Sequence, residues 1–154
     1  MSQFDHRKYR PIAAIDLPHR QWPSRSFTKA PKWTSVDLRD GNQALLEPMN
    51  VMQKQRMWAL LVKLGFKEIE VGFPASGATD FDYIQGLVRG GRIPEGVTPQ
   101  VLTQSRADLI RTSFDSLEGA KTAIVHVYNA VSPAWRKIVF GMEMDEIRGI
   151  AIEG

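Results

Sequence analysis

The feature that most narrows the choice of fold is a fourfold alternation, from Thr34 onward, between short runs with strand character and longer runs with helical periodicity. The strand-like runs are 35–39, 68–73, 98–104 and 122–129. The first helix opens at Asn50-Val51-Met52-Gln53, where Asn50 and Gln53 make a capping-box-like pair. It carries Met57, Trp58, Leu61 and Leu64 on one face and stops at Gly65. The second helix opens at 79–82, with Phe81, Ile84, Leu87 and Val88 expected in the core and Gly90-Gly91 as its stop. A third, capped by Ser105-Arg106-Ala107-Asp108, presents Ile110, Phe114 and Leu117, and a fourth covers 145–153. Strands joined through single helices imply parallel βαβ units with right-handed crossovers, so the fold class is α/β with four such units. Periodicity alone leaves both a closed barrel and an open doubly wound sheet standing, although no Gly-rich phosphate turn follows the first strand to support the latter.

Chemistry gathers at the end of the first strand-like run. Read with period two, Ser35, Asp37 and Arg39 point to one side and Val36 and Leu38 to the apolar layer. Gly41 then frees the backbone to turn, leaving Arg39 and Asp40 at the carboxyl end of a strand, where α/β folds carry their active groups. Asp40 offers oxygen to a hard divalent cation, and the Arg39 guanidinium suits a substrate oxygen that gains charge; a surface ion pair in a loop is the plainer alternative. In the second strand Glu68 and Glu70 occupy the polar face, and Glu70 is placed to pair with Arg39 on the neighbouring strand. The plain alternative for Glu70 is a solvated carboxylate. His126 lies in the apolar run Ala123-Ile124-Val125-His126-Val127-Tyr128, where a hydrogen-bonded core histidine is the ordinary reading.

Composition removes other classes. The 154 residues are 43% hydrophobic and 24% charged, the profile of a globular domain with a substantial core, and they contain no cysteine, which excludes disulfides and thiolate sites. No apolar run is long enough to span a membrane, and the opening residues lack the apolar centre of a secretion signal, so a cytoplasmic protein is expected. The net charge of +3 is uneven: residues 1–33 carry seven Lys or Arg against two Asp or Glu, whereas the remainder carries thirteen against fifteen. This basic leader is broken by Pro11, Pro18, Pro23 and Pro31 and by Trp22 and Phe27, a pattern that suits an extended segment lying on a protein surface better than a nucleic-acid-binding arm. Two regions are therefore expected, an extended leader over 1–33 and an α/β unit over 34–154.

The run Lys32-Trp33-Thr34-Ser35-Val36-Asp37-Leu38-Arg39-Asp40-Gly41-Asn42-Gln43-Ala44-Leu45 resembles the first barrel strand of the 2-isopropylmalate synthase family, long form, within the DRE-TIM metallolyase superfamily. Glu68-Ile69-Glu70-Val71-Gly72-Phe73-Pro74-Ala75, Val101-Leu102-Thr103-Gln104 and Val125-His126-Val127-Tyr128-Asn129 follow in the family's order, and the likeness runs from about Tyr9 to the end. The resemblance implies the N-terminal half of a (β/α)8 TIM barrel. It also implies a divalent metal (Mg, Mn or Zn) and a Claisen condensation of acetyl-CoA with 2-oxoisovalerate that yields 2-isopropylmalate and CoA, in leucine biosynthesis. Carried over residue by residue, it makes Arg39 and Glu70 catalytic, Asp40 a metal ligand, and Arg39, Gln43, Leu102 and His126 substrate-binding. Leu102 would line the pocket for the keto acid's branched side chain and His126 would contact the keto acid. Val131 stands where the family pattern has a small hydroxyl residue, so that contact is not carried over.

The family completes its metal site with a His-x-His pair on a later strand, and the histidines here are His6, His19 and His126. The expectation is therefore a fragment, or the product of a truncated gene, that is inactive alone and prone to self-association; the full-length protein is expected to be a homodimer. Two alternatives are a related aldolase, lyase or acyltransferase acting on another 2-keto acid, and a non-catalytic half barrel that assembles with another subunit.

Overall fold

A computed structural model describes residues 29–154, together with Lys8, Arg10, Ile12, Ala13 and residues 15–19. Two units are distinguished, Met1–Pro31 and Lys32–Gly154. In the first, the described residues form a turn at Pro18–His19 and otherwise irregular backbone apart from a helical turn at Lys8; most of the basic leader, including Trp22 and Phe27, lies outside the described residues.

The second unit is a parallel four-stranded sheet in the order β1-β2-β3-β4. Its strands are β1 (Thr34–Ser35), β2 (Glu68–Gly72), β3 (Thr98–Gln104) and β4 (Ile124–Tyr128). Helices α1 (Val51–Leu64), α2 (Ala78–Arg89) and α3 (Ala107–Ser116) make the crossovers; a short α4 (Pro133–Trp135) and α5 (Met144–Glu153) follow β4. Sequential order with every neighbour parallel is what half of a (β/α)8 barrel requires, and it is the arrangement expected from the alternation.

Local chemistry explains the boundaries. Asn50 and Gln53 close a reciprocal capping box at the start of α1, and Gly65, at φ 98°, ends it in the left-handed region that glycine tolerates. The core between sheet and helices comprises Leu38, Trp58, Leu61, Ile69, Val71, Tyr83, Ile84, Leu87, Val97, Val101 and Leu117. Among the described residues, no helix is long and apolar enough to cross a membrane.

Three local expectations differ from the structure. The first strand is only two residues long, and Asp37–Gly41 forms a single π-helical turn in which the amides of Arg39, Asp40 and Gly41 all donate to the Val36 carbonyl at 2.9–3.2 Å. The Ser35 hydroxyl donates to Asp37 Oδ2 at 2.5 Å, a local bond that competes with the ladder and ends the strand. Leu38 consequently turns fully into the core while Val36 is left 41% exposed, so the two do not share a face. On α2 the buried residue of the first turns is Tyr83, with Phe81 only half-buried, because α2 is rotated to place Tyr83 beneath α1, where its hydroxyl donates to the Lys54 carbonyl at 3.3 Å. On α3 the inner face is Ser113, Ser116 and Leu117, and Phe114 is exposed. The serines return their hydroxyls to the helix carbonyls of Leu109 and Ser113, so small side chains pack there without an unsatisfied group.

Candidate active site

One face of the sheet carries a connected polar cluster. Glu70 lies mid-strand in β2, level with Gln100 on β3, and Leu102 on β3 is level with His126 on β4. Alternation along β3 puts Gln100 and Leu102 on the same face, so Glu70, Gln100, Leu102 and His126 share it. The π-helical turn delivers Arg39 to the same place from β1.

Glu70 is the hub and is fully buried. Its Oε1 accepts from Arg39 Nε, its Oε2 accepts from Gln100 Nε2, and His126 Nδ1 lies 2.9 Å from Oε2. Burial alone would push this carboxyl up. The hydrogen bonds from His126, Gln100 and Arg39, with the guanidinium charge, together outweigh that and hold it below the ordinary carboxylate value. An ionised Glu70 only accepts, so the His126 Nδ1 facing it carries a proton and Nε2 is the nitrogen left for another partner. The 3.4 Å approach of Gln100 Nε2 to that same Nδ1 is then a contact between two donors and not a bond.

Arg39 bridges Glu70 and Asp40. Its Nη1 donates to Asp40 Oδ1 at 2.7 Å, and the two described bonds occupy two of the five guanidinium N–H groups. The Asp40 side chain is 64% exposed, against 16% for Arg39, so the carboxylate stands at the mouth and the guanidinium beneath it. Leu102 is nearly buried on the strand beside His126, whose side chain is half exposed. Gln43 is exposed in the turn that follows and joins none of these groups among the described contacts. Its neighbour Asn42 instead anchors the loop, its Oδ1 accepting from the Met49 amide at 2.7 Å. Gln100 is the member that sequence reasoning missed; the available signal was its place two residues before Leu102 on the same strand face.

A metal needs more than this. Among the described residues no three His, Cys, Asp or Glu side chains converge on a cation site, and Asp40 is a single oxygen donor set at the surface. The residues present do not by themselves fit a closed divalent site.

Comparison with known proteins adds the lineage. The HMGL-like family matches residues 30–153, which takes in the whole sheet and the cluster on it. The chain belongs to the HMGL-like family. Curated relatives of this HMGL-like chain named 2-isopropylmalate synthase include those of Cupriavidus taiwanensis (56% identical over 147 residues, 96% of this chain and 26% of the relative), Alcanivorax borkumensis (56% over 149 residues, 97% and 27%) and Thermobifida fusca (54% over 147 residues, 96% and 26%). The chain spans about a quarter of the length of these relatives. The HMGL-like match bears out the barrel reading over the open doubly wound sheet.

Proposed function

We propose that this chain forms the first half of the catalytic barrel of a 2-isopropylmalate synthase, an acyltransferase that joins acetyl-CoA to 2-oxoisovalerate and releases CoA. The observation that carries this reading is the Arg39–Glu70–His126 cluster on the inner sheet face of a chain so similar to proteins of that name. Glu70 fixes Arg39 by Nε, which leaves the outer guanidinium nitrogens to donate to the oxygen that becomes negative as the new carbon–carbon bond forms. The half-exposed His126, with Nε2 not engaged by Glu70, suits an oxygen of the keto acid, and Leu102 suits its branched carbon chain. Gln43, exposed three residues after Asp40, is assigned to the substrate on the family likeness.

Asp40 is proposed as one ligand of a divalent cation, Mg, Mn or Zn, whose other ligands are not among the described residues; no step is derived through it. The protein is read as cytoplasmic and, at synthase length, as a homodimer, with the basic leader over 1–33 preceding the barrel half over 34–154.

The test is a chimera in which this chain replaces the matching quarter of the Cupriavidus taiwanensis synthase. CoA release from acetyl-CoA and 2-oxoisovalerate is expected and should be abolished by a chelator. Arg39→Met is expected to lower kcat by about 10²–10³-fold, as for other oxyanion donors. A folded chimera that is inert, or that accepts another 2-keto acid and refuses 2-oxoisovalerate, overturns the assignment.

A further inference from the structure

A second buried polar cluster lies on the helix side of β2 and takes no part in the chemistry above. Lys54, on α1, is only 1% exposed, and its ammonium pairs with Asp80 Oδ1 on α2. Asp80 Oδ2 accepts the Phe73 amide at 2.9 Å. Lys54 also lies 5.4 Å from the centroid of the Tyr83 ring, and the Tyr83 hydroxyl returns to the Lys54 carbonyl. A buried ion pair gains little net stability, because desolvation offsets most of its attraction, so this cluster invites a positional explanation.

The strand it grips is irregular at one point. Glu70 pairs with Gln100, but Gly72 pairs with Val101, so Val71 is an extra residue and β2 bulges directly after Glu70. Bulges bend a strand and re-aim the neighbouring side chain. Asp80 closes on the peptide just beyond the bulge, and it comes so near that a Cβ on Gly72 would sit 2.7 Å from Asp80 Oδ2. The next peptide group, Phe73–Pro74, is held from the loop side: the Phe73 carbonyl accepts from the Ser76 amide at 2.9 Å and from the Ser76 hydroxyl at 2.7 Å.

We infer that Lys54 and Asp80 are positioning residues that clamp the Gly72–Phe73 peptide, hold the β2 bulge in register, and thereby aim the Glu70 carboxylate at Arg39. Neither touches the polar cluster among the described contacts; they act through the backbone. The inference deepens the proposed function, resting on the reading of Arg39 and Glu70 as the catalytic pair.

The test follows the Arg39 Nε–H resonance and the Phe73 amide in the 17.4 kDa chain by NMR. Lys54→Met and Asp80→Asn each break the charge pair at nearly constant volume. Both are expected to raise Phe73 amide exchange about tenfold or more and to shift the Arg39 Nε–H signal. Lys32→Ala, which removes a partner of Glu68 on the same strand, is expected to leave that signal in place. Should the charge-breaking variants not fold, Asp80→Glu, which keeps the pair and pushes the clamped peptide by one methylene, is expected to move the same signal. A folded variant with faster Phe73 exchange and an unmoved Arg39 signal overturns the inference. In the chimeric synthase, Asp80→Asn is expected to lower kcat about tenfold, with KM for 2-oxoisovalerate little changed. An inert chimera in which Arg39 still responds to Asp80 sinks the synthase reading alone; an active chimera indifferent to Asp80 sinks the clamp alone.

Discussion

Replacing Glu70 by Gln tests the centre of the candidate site through stability, without assuming turnover. The native carboxylate is fully buried and serves Arg39, Gln100 and His126 at once. Each hydrogen bond to a charged group contributes about 1.5–3 kcal/mol, and breaking a buried ion pair by removing one partner costs about 3–5 kcal/mol. Two features place Glu70→Gln at or below the low end of the latter range. The amide keeps the volume and one acceptor, and Arg39, 16% exposed, retains some water. The expected loss at pH 7 is about 2–3 kcal/mol. With a urea dependence of about 2 kcal/mol/M for a chain of this size, the midpoint should fall by about 1–1.5 M. The sign with pH follows from the lowered carboxyl: its stabilisation is fully present above the ordinary value of 4.5 and is lost as pH falls through the depressed folded value. The amide introduced by Glu70→Gln does not titrate, so the gap between the proteins should be widest near neutrality and close in acid. Adding Arg39→Met completes a double-mutant cycle, with an expected coupling of about 1–3 kcal/mol. A midpoint unchanged at pH 7, a gap that persists in acid, or additive single effects would refute the hub geometry.

Two further outcomes follow from the fold. Leu38→Ala should cost about 2–5 kcal/mol because Leu38 is fully buried, while Val36→Ala, at a 41% exposed position, should cost well under half as much; equal losses in urea melts would restore the strand reading of 35–39. The outer edge of β4 bears no strand in the sheet order, and Val127, Tyr128, Val131 and Ile138 are exposed in or just beyond it, so the chain is expected to self-associate with concentration in light scattering; a monodisperse monomer would count against the half-barrel edge.

The architecture was legible because its signals are local. Asn50 and Gln53, Gly65, and the alternation in 68–72 and 98–104 each mark their element without reference to the rest of the chain. The Arg39–Glu70 pair was legible too, although Arg39 reaches Glu70 from the π-helical turn and not from a strand face. Three things were not. The π-helical turn depends on a hydroxyl–carboxylate bond between Ser35 and Asp37 that a five-residue alternation conceals. Gln100 becomes significant only through register with Glu70, which is a property of two strands and not of one. Lys54 and Asp80 were not singled out, because their pairing is set by the packing of α1 against α2 and by no local pattern.

The shortness of β1 makes its attachment unlike that of the other strands. Two rungs of ladder, Thr34 to Glu68 and Ser35 to Ile69, are all the backbone pairing it has. The segment is otherwise fastened by Lys32 and Thr34 on Glu68, by Arg39 on Glu70 and by Leu38 beneath. The Lys32 and Thr34 hydrogen bonds lower the Glu68 carboxyl, and Glu70 is lowered as well, so both fastenings are intact above the ordinary carboxyl range and open as pH falls through the depressed values. The β2–β3–β4 ladder is secured by peptide groups that do not titrate. Acid below the ordinary carboxyl range therefore works on this sheet as on a seam buttoned along one side and sewn along the other: the β1 side loses its two carboxylate fastenings and keeps Leu38 and two rungs of ladder, while the β2–β3–β4 side loses none of its pairing.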